Sequence, residues 1–225
     1  MKSLLSIAVF LIFCSLSLQA QVGIRANYHA LNVPTWERLV QTASPEILGS
    51  SLNTMGYSIG LDYWFRLKDY RIEFFPEVGY SSLATVNQTD NSFQWNQYFT
   101  KLNTHFYVLD FEEDCDCPTF SKQSPWFKKG FFFSIMVGGG YSNMNSIGPM
   151  STAYDEWNLL ASMGVGLDIG ISDFITLTPT LQWAHWITPE WQGISYNTDV
   201  QAEKAPASAV SAGVRVGIRF PTRYY

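Results

Sequence analysis

Three groups of residues have the types and spacing that chemistry asks for. Nine charged residues, Arg25, Asp62, Arg66, Arg71, Glu73, Glu77, Asp168, Arg215 and Arg219, each occupy the polar side of a run in which polar and apolar residues alternate. Three histidines, His29, His105 and His185, are all expected near the outer ends of their segments, where Glu37, Glu190 or Ser151 would be candidates to join them. The run Glu112-Glu113-Asp114-Cys115-Asp116-Cys117-Pro118 sets two cysteines one residue apart among acids. A histidine beside a serine and a carboxylate activates a hydroxyl. No compact cluster of that kind is visible, so no catalytic residue is assigned. The cysteine pair lacks the second pair or the histidine that a metal site needs, so no metal or cofactor is assigned either. In an oxidising compartment Cys115 and Cys117 fit a local disulfide or a bridge to another protein, with partner docking and metal binding as alternatives.

The elements that would carry these residues follow a period of two, the strand repeat. Eight segments show it: 22–31, 55–67, 71–83, 102–111, 131–142, 158–170, 174–186 and 208–220. In the last, Val210, Ala212, Val214, Val216 and Ile218 alternate with Ser211, Gly213, Arg215, Gly217 and Arg219. The fourth is the least regular, because Phe106 and Val108 compete with Tyr107 and Leu109 for the apolar face. Lys68-Asp69-Tyr70 and Ile171-Ser172-Asp173 read as tight turns. The hairpins 55–83 and 158–186 share a Gly-Leu-Asp (60–62 and 166–168) and a proline in the returning strand, Pro76 and Pro179. Each proline removes a ladder donor, which predicts a bulge at both places.

Residues 1–20 read as a signal peptide: Lys2, an apolar run from Leu4 to Leu18, and Ala20 before Gln21. Cys14 belongs to that apolar run, since the large Phe13 before it does not suit a lipoprotein anchor. Residues 21–225 form one domain, with no linker or charge block to divide them. Without Lys2 the chain has 13 basic and 19 acidic residues, a charge of −6, so nothing in its charge attracts nucleic acid. No later stretch is apolar for long enough to cross a membrane as a helix. Yet the chain is 16% aromatic and only 15% charged, against roughly 25% charged in ordinary soluble domains.

A sheet in lipid must close on itself, because lipid supplies no partners for edge N–H and C=O groups. The pattern therefore predicts an all-β fold, an eight-stranded antiparallel up-and-down transmembrane β-barrel, with a soluble carrier-like barrel as the alternative. Long connections at about 32–54, 84–101, 143–157 and 187–207 are assigned to the outside. The two tight turns, both ends and a long 112–130 connection are assigned to the periplasm. Aromatic girdles are expected from Tyr28, Tyr57, Tyr80, Tyr141, Trp157, Trp183 and Trp186 on one side, and from Tyr63, Phe65, Tyr70, Phe131 and Phe174 on the other. Trp36, Trp95, Trp157 and Trp191 fall in the outer loops, for recognition or for loop packing.

The Leu18-Gln19-Ala20-Gln21 junction, the Pro76-Glu77-Val78-Gly79-Tyr80 strand and the final Gly217-Ile218-Arg219-Phe220 resemble the small porin-like or OmpA-membrane-domain-like outer-membrane barrels of Gram-negative bacteria, across the whole of 21–225. The resemblance implies location in the cell outer membrane, with outer-membrane lipid and the barrel-assembly machinery as partners. It would also make Phe220 the aromatic end that this machinery reads. The chain departs from the pattern by continuing through Pro221-Thr222-Arg223-Tyr224-Tyr225.

Eight strands enclose room for side chains or one small ligand. The nine charges are thus expected to pair across a plugged lumen, with Arg25, Glu77 and Arg215 near its centre. The function this predicts is a non-enzymatic structural, adhesion or complex-subunit component of the envelope, with 112–130 facing a periplasmic or outer-membrane protein partner. A narrow solute channel is the alternative, and a lipid-modifying enzyme the third reading. Intact mass of the purified chain tests the cysteine reading: a disulfide removes two hydrogens, and two alkylatable thiols would rule it out.

Overall fold

The computed structural model describes residues 21–33, 53–67, 70–86, 92–109, 129–147, 153–172, 174–187, 190–191, 203–204 and 207–219. Eight long strands account for most of them: β1 (Gln21–Asn32), β2 (Asn53–Arg66), β3 (Ile72–Val86), β4 (Ser92–Phe106), β5 (Phe131–Ile147), β6 (Ala153–Leu167), β7 (Ile175–Trp186) and β8 (Ala207–Arg219). Each pairs antiparallel with the next, and β8 pairs with β1, so the sheet is closed. Ile169–Gly170 carries the line of β6 on against β7, and Glu190–Trp191 pairs with Glu203–Lys204 in a separate small ribbon.

The ladders fix the size of the barrel. A circuit leaving β1 at Gly23 passes through Asp62, Glu77, Lys101, Gly138, Leu160, Trp186 and Ala207. It meets β1 again one step beyond the Asn32–Ser208 pair, at Val33, ten residues further along. A ten-residue stagger over eight strands tilts them by about 40° and sets a backbone radius of about 8 Å. Side chains from opposite walls meet across that radius, so the interior is filled.

Neither proline makes a bulge. The β2–β3 register is the same on both sides of Pro76, from Asp62↔Glu77 to Phe65↔Phe74, with only the two intervening pairs missing. Pro179 interrupts its ladder in the same way, between Gly166↔Thr180 and Ile169↔Leu177. The missing donor is met by a local gap, which costs less than shifting every side chain beyond it to the other face.

The predicted outer connections at 84–101 and 143–157 are largely strand: β3 and β4 leave only 87–91 between them, and β5 and β6 only 148–152. Their outer parts carry Gln94, Asn96, Asn143, Asn145 and Asp155 outward and Trp95 and Met144 inward. That inverts the pattern of the membrane-level strands, and so reads as loop. Trp95 and Trp186, assigned to a loop and to the girdle, lie inside and pack on each other at 5.5 Å. The expected signal peptide, 1–20, lies outside the described residues.

The exterior is apolar at mid-height. Ile24, Ile59, Leu61, Val78, Ile135, Val137, Leu159, Leu181 and Val216 all face out and are 40–57% exposed. A soluble protein would not leave such a belt to water. Leu61, 55% exposed, tests it. Leu61→Lys is expected to cost about 2–4 kcal/mol of folding stability in lipid vesicles. The readouts are urea titration and the heat-dependent shift in gel mobility; a neutral effect would mean the belt faces water.

Candidate functional site: the barrel interior

Parity aims the charged residues inward, and the lumen is a stack of three zones. At mid-height, like charges lie directly opposite one another on neighbouring strands: Arg25 beside Arg215, and Asp62 beside Glu77. Left so, each pair would repel. The side chains instead reach over the strand between. Arg215 of β8 crosses Gly23 of β1 to form a bidentate pair with Asp62 of β2, at 2.7–2.9 Å. Arg25 of β1 crosses Gly60 of β2 to Glu77 of β3, at 3.2 Å. A Cβ on Gly23 would lie 2.5 Å from the Arg215 guanidinium, and one on Gly60 2.3 Å from the Glu77 carboxylate. The two glycines therefore leave the passage that the ion pairs occupy.

Glu77 is also bound from the other side by Lys101 Nζ at 3.1 Å and by the Asn103 amide, which donates at 2.9 Å. Arg215 stacks on Phe75 at 4.7 Å, and Lys101 lies 4.2 Å from the centre of the Phe99 ring. Lys101 was missed in the sequence because the fourth segment was begun at 102, and Asn103, inside it, because the two faces of 102–111 were not distinguished. The alternation Phe99-Thr100-Lys101-Leu102-Asn103 carries the signal once β4 is extended towards its start.

Towards the end that bears Gln21 and Arg219, assigned to the periplasm, the remaining predicted charges gather. Glu73 accepts from the Trp64 indole at 2.7 Å and from the Tyr107 hydroxyl at 3.0 Å. The same hydroxyl contacts Asp168, which also accepts from Thr178. Arg71 caps the Tyr107 ring at 4.2 Å, Arg66 stands opposite Glu73 on the β2–β3 ladder, and Arg219 donates to the Gln21 amide oxygen when that amide is turned to face it. Gln21, Trp64, Glu73, Asp168 and Arg219 line a small polar recess open to solvent, together with Phe75, Thr176 and Arg215. Towards the outer end Leu83, Trp95, Met144, Leu160 and Trp186 pack together, with Gln97 accepting from the Trp186 indole at 3.3 Å and Glu156 buried at the same end. This plug was not foreseen.

His29, reached from the outer end, bonds Ser211 at 2.6 Å through Nδ1 and Ser58 at 2.9 Å through Nε2. His185 lies on the outer face against Trp183, at 5.9 Å. His105 departs from the expectation: β4 descends, so His105 sits near the periplasmic end, enclosed between Phe75 and Phe132 at 4.2 and 3.9 Å. The three are therefore not gathered. Cys115, Cys117, Phe220 and segment 112–128 lie outside the described residues. Among the described residues no group of three or more His, Cys, Asp or Glu is placed to hold a metal ion.

Glu77→Gln removes the one carboxylate that faces both Arg25 and Lys101. Breaking a buried pair in this way costs about 3–5 kcal/mol. The expected result is a fall of that size in vesicle-based urea unfolding, largely reversed when R25M and K101M are added. A neutral E77Q would show that the central charges do not depend on one another.

No protein-family model matches the chain, and no curated protein matches it. Solved structures similar to it include Neisserial surface protein A (15% identity, 88% of this chain and 96% of that one, TM-score 0.45). The attachment invasion locus protein Ail of Yersinia pestis, solved with the heparin analogue sucrose octasulfate, is another (10%, 90% and 98%, 0.46). A third is a major outer membrane protein from Thermus thermophilus (11%, 89% and 99%, 0.48). The architecture stands on the chain's own ladders, and its location on the apolar belt, with exposed Tyr28, Tyr57, Tyr98 and Trp157 towards one end and Phe65, Tyr70 and Phe174 towards the other: this is a closed eight-stranded barrel of the outer membrane.

Proposed function

We propose that the chain is a sealed, non-enzymatic envelope component: a barrel that anchors its outer and periplasmic segments in the outer membrane for a structural, adhesion or complex-subunit role. The observation that carries this is the burial of the ion pairs Arg25–Glu77–Lys101 and Arg215–Asp62 along the inside of the wall, beneath the plug of Trp95 and Trp186. Opening a path would mean separating desolvated ion pairs and displacing two indoles, at a cost of several kcal/mol. The non-enzymatic reading is supported by His29, whose two ring nitrogens are both taken by serines, so that no carboxylate orients it as a base. Its partners in this reading are lipid around the belt, the assembly machinery during insertion, and a periplasmic or outer-membrane protein at 112–130, where Glu112, Glu113, Asp114 and Asp116 cluster.

Single-channel recording on the purified full chain in planar bilayers tests the proposal. The expected trace is flat, with a baseline no different from that of protein-free bilayers. A steady conductance, raised by Trp95→Ala or by E77Q, would replace the anchor with the narrow-channel reading.

A further inference from the structure

Outward-facing residues of β3–β6 form two rows just where these strands pass beyond the belt. In the first, Tyr80, Tyr98, Tyr141 and Trp157 are successive cross-strand partners, each directly opposite the next. Tyr80 and Tyr98 are 5.3 Å apart, Tyr141 and Trp157 5.6 Å, and Tyr98 and Trp157 are 67% and 76% exposed. In the second row, one step further out, Ser82, Asn96, Asn143 and Asp155 are likewise successive partners. Gln94 and Asn145 flank it.

The second row is organised. Asn96 Oδ1 accepts from Tyr80, Ser82 and Gln94, at 2.8, 2.8 and 3.4 Å. The Asn143 amide donates to Asp155 at 2.7 Å and accepts from Asn145 at 2.6 Å. Amide and carboxylate groups carry more donor and acceptor positions than these bonds use. On one side β7 ends at Trp186, opposite Leu160, and on the other β2 sets Ile59 beside Tyr80 and Tyr57 beside Ser82, so the row of amides is confined to β3–β6.

We infer that this platform binds the sugar headgroup of a glycolipid in the outer leaflet. Aromatic faces pack on the C–H faces of sugar rings, and a row of amides with one carboxylate matches neutral hydroxyls. Asp155 is the one charged residue among those named, and nothing in either row is basic, so a bare phosphate finds no partner. Continuity selects a lipid over a soluble glycan. On β5 the outward face runs Ile135, Val137, Gly139, Tyr141, Asn143, and on β6 Met163, Ala161, Leu159, Trp157, Asp155. A molecule whose chains lie on the belt thus has its headgroup at the two rows.

The test compares the full chain in phosphatidylcholine vesicles with and without a neutral glycolipid, digalactosyl diacylglycerol, reading the glycolipid retained by the purified protein against phosphatidylglycerol as competitor. Retention of the neutral glycolipid is expected, with a roughly ten-fold loss in N143L/D155L, as follows from losing one or two hydrogen bonds. Heat-dependent gel mobility checks that the variant still closes. Should it not, W157A probes the same rows without touching the interior and is expected to lower retention several-fold. Equal retention by parent and folded variant would overturn the inference. So would equal binding of the delipidated oligosaccharide, which would put a soluble glycan in the lipid's place.

Discussion

Closure is the constraint on which the rest depends. Lipid gives an N–H or C=O group nothing to bond, so the eight strands have no permissible edge, and the β7–β8 and β8–β1 ladders complete the ring. The ten-residue stagger built into these ladders then sets the tilt and the narrow radius. Each strand keeps one register from end to end, and even the two prolines are absorbed as gaps rather than bulges. A shift of one residue would turn a whole strand's apolar side inward.

A narrow closed ring decides what happens to the charges. It brings Arg25 against Arg215 and Asp62 against Glu77, an arrangement that is unfavourable between nearest neighbours. Two glycines on the strands between let each cation pass over to the carboxylate one strand further on. Glu77, held by Arg25, Lys101 and Asn103, is the point at which three strands are tied together inside the wall. Such pairs barely repay their desolvation, but breaking one is costly. They therefore hold the interior to a single arrangement.

The outside obeys a different solvent. Along β4 the outward residues pass from Leu102 to Tyr98, Asn96 and Gln94, tracking a passage from acyl chain to interface to polar surroundings. Over the same stretch the inward residues change from Lys101 to Phe99, Gln97 and Trp95, with Gln97 accepting from the Trp186 indole. The charged centre thus lies at the level of the belt, and the cluster around Trp95 rises above it.

The sequence by itself determined the fold class, the strand count and the direction of most charged side chains. A strand with lipid on one side and a polar lumen on the other cannot avoid a period of two, which is why β2 and β8 were legible to within a few residues. Where that contrast fades or reverses, as around Trp95, Met144 and Trp157, strand was read as loop; Lys101 was lost with it, and His105 was set at the wrong end. Which charge meets which partner was decided only by the tertiary structure. Pairing depends on the stagger between strands, a property of the closed ring that no single segment carries. The rows Tyr80–Tyr98–Tyr141–Trp157 and Ser82–Asn96–Asn143–Asp155 exist for the same reason: their members, dozens of residues apart, become neighbours only when four registers are fixed at once.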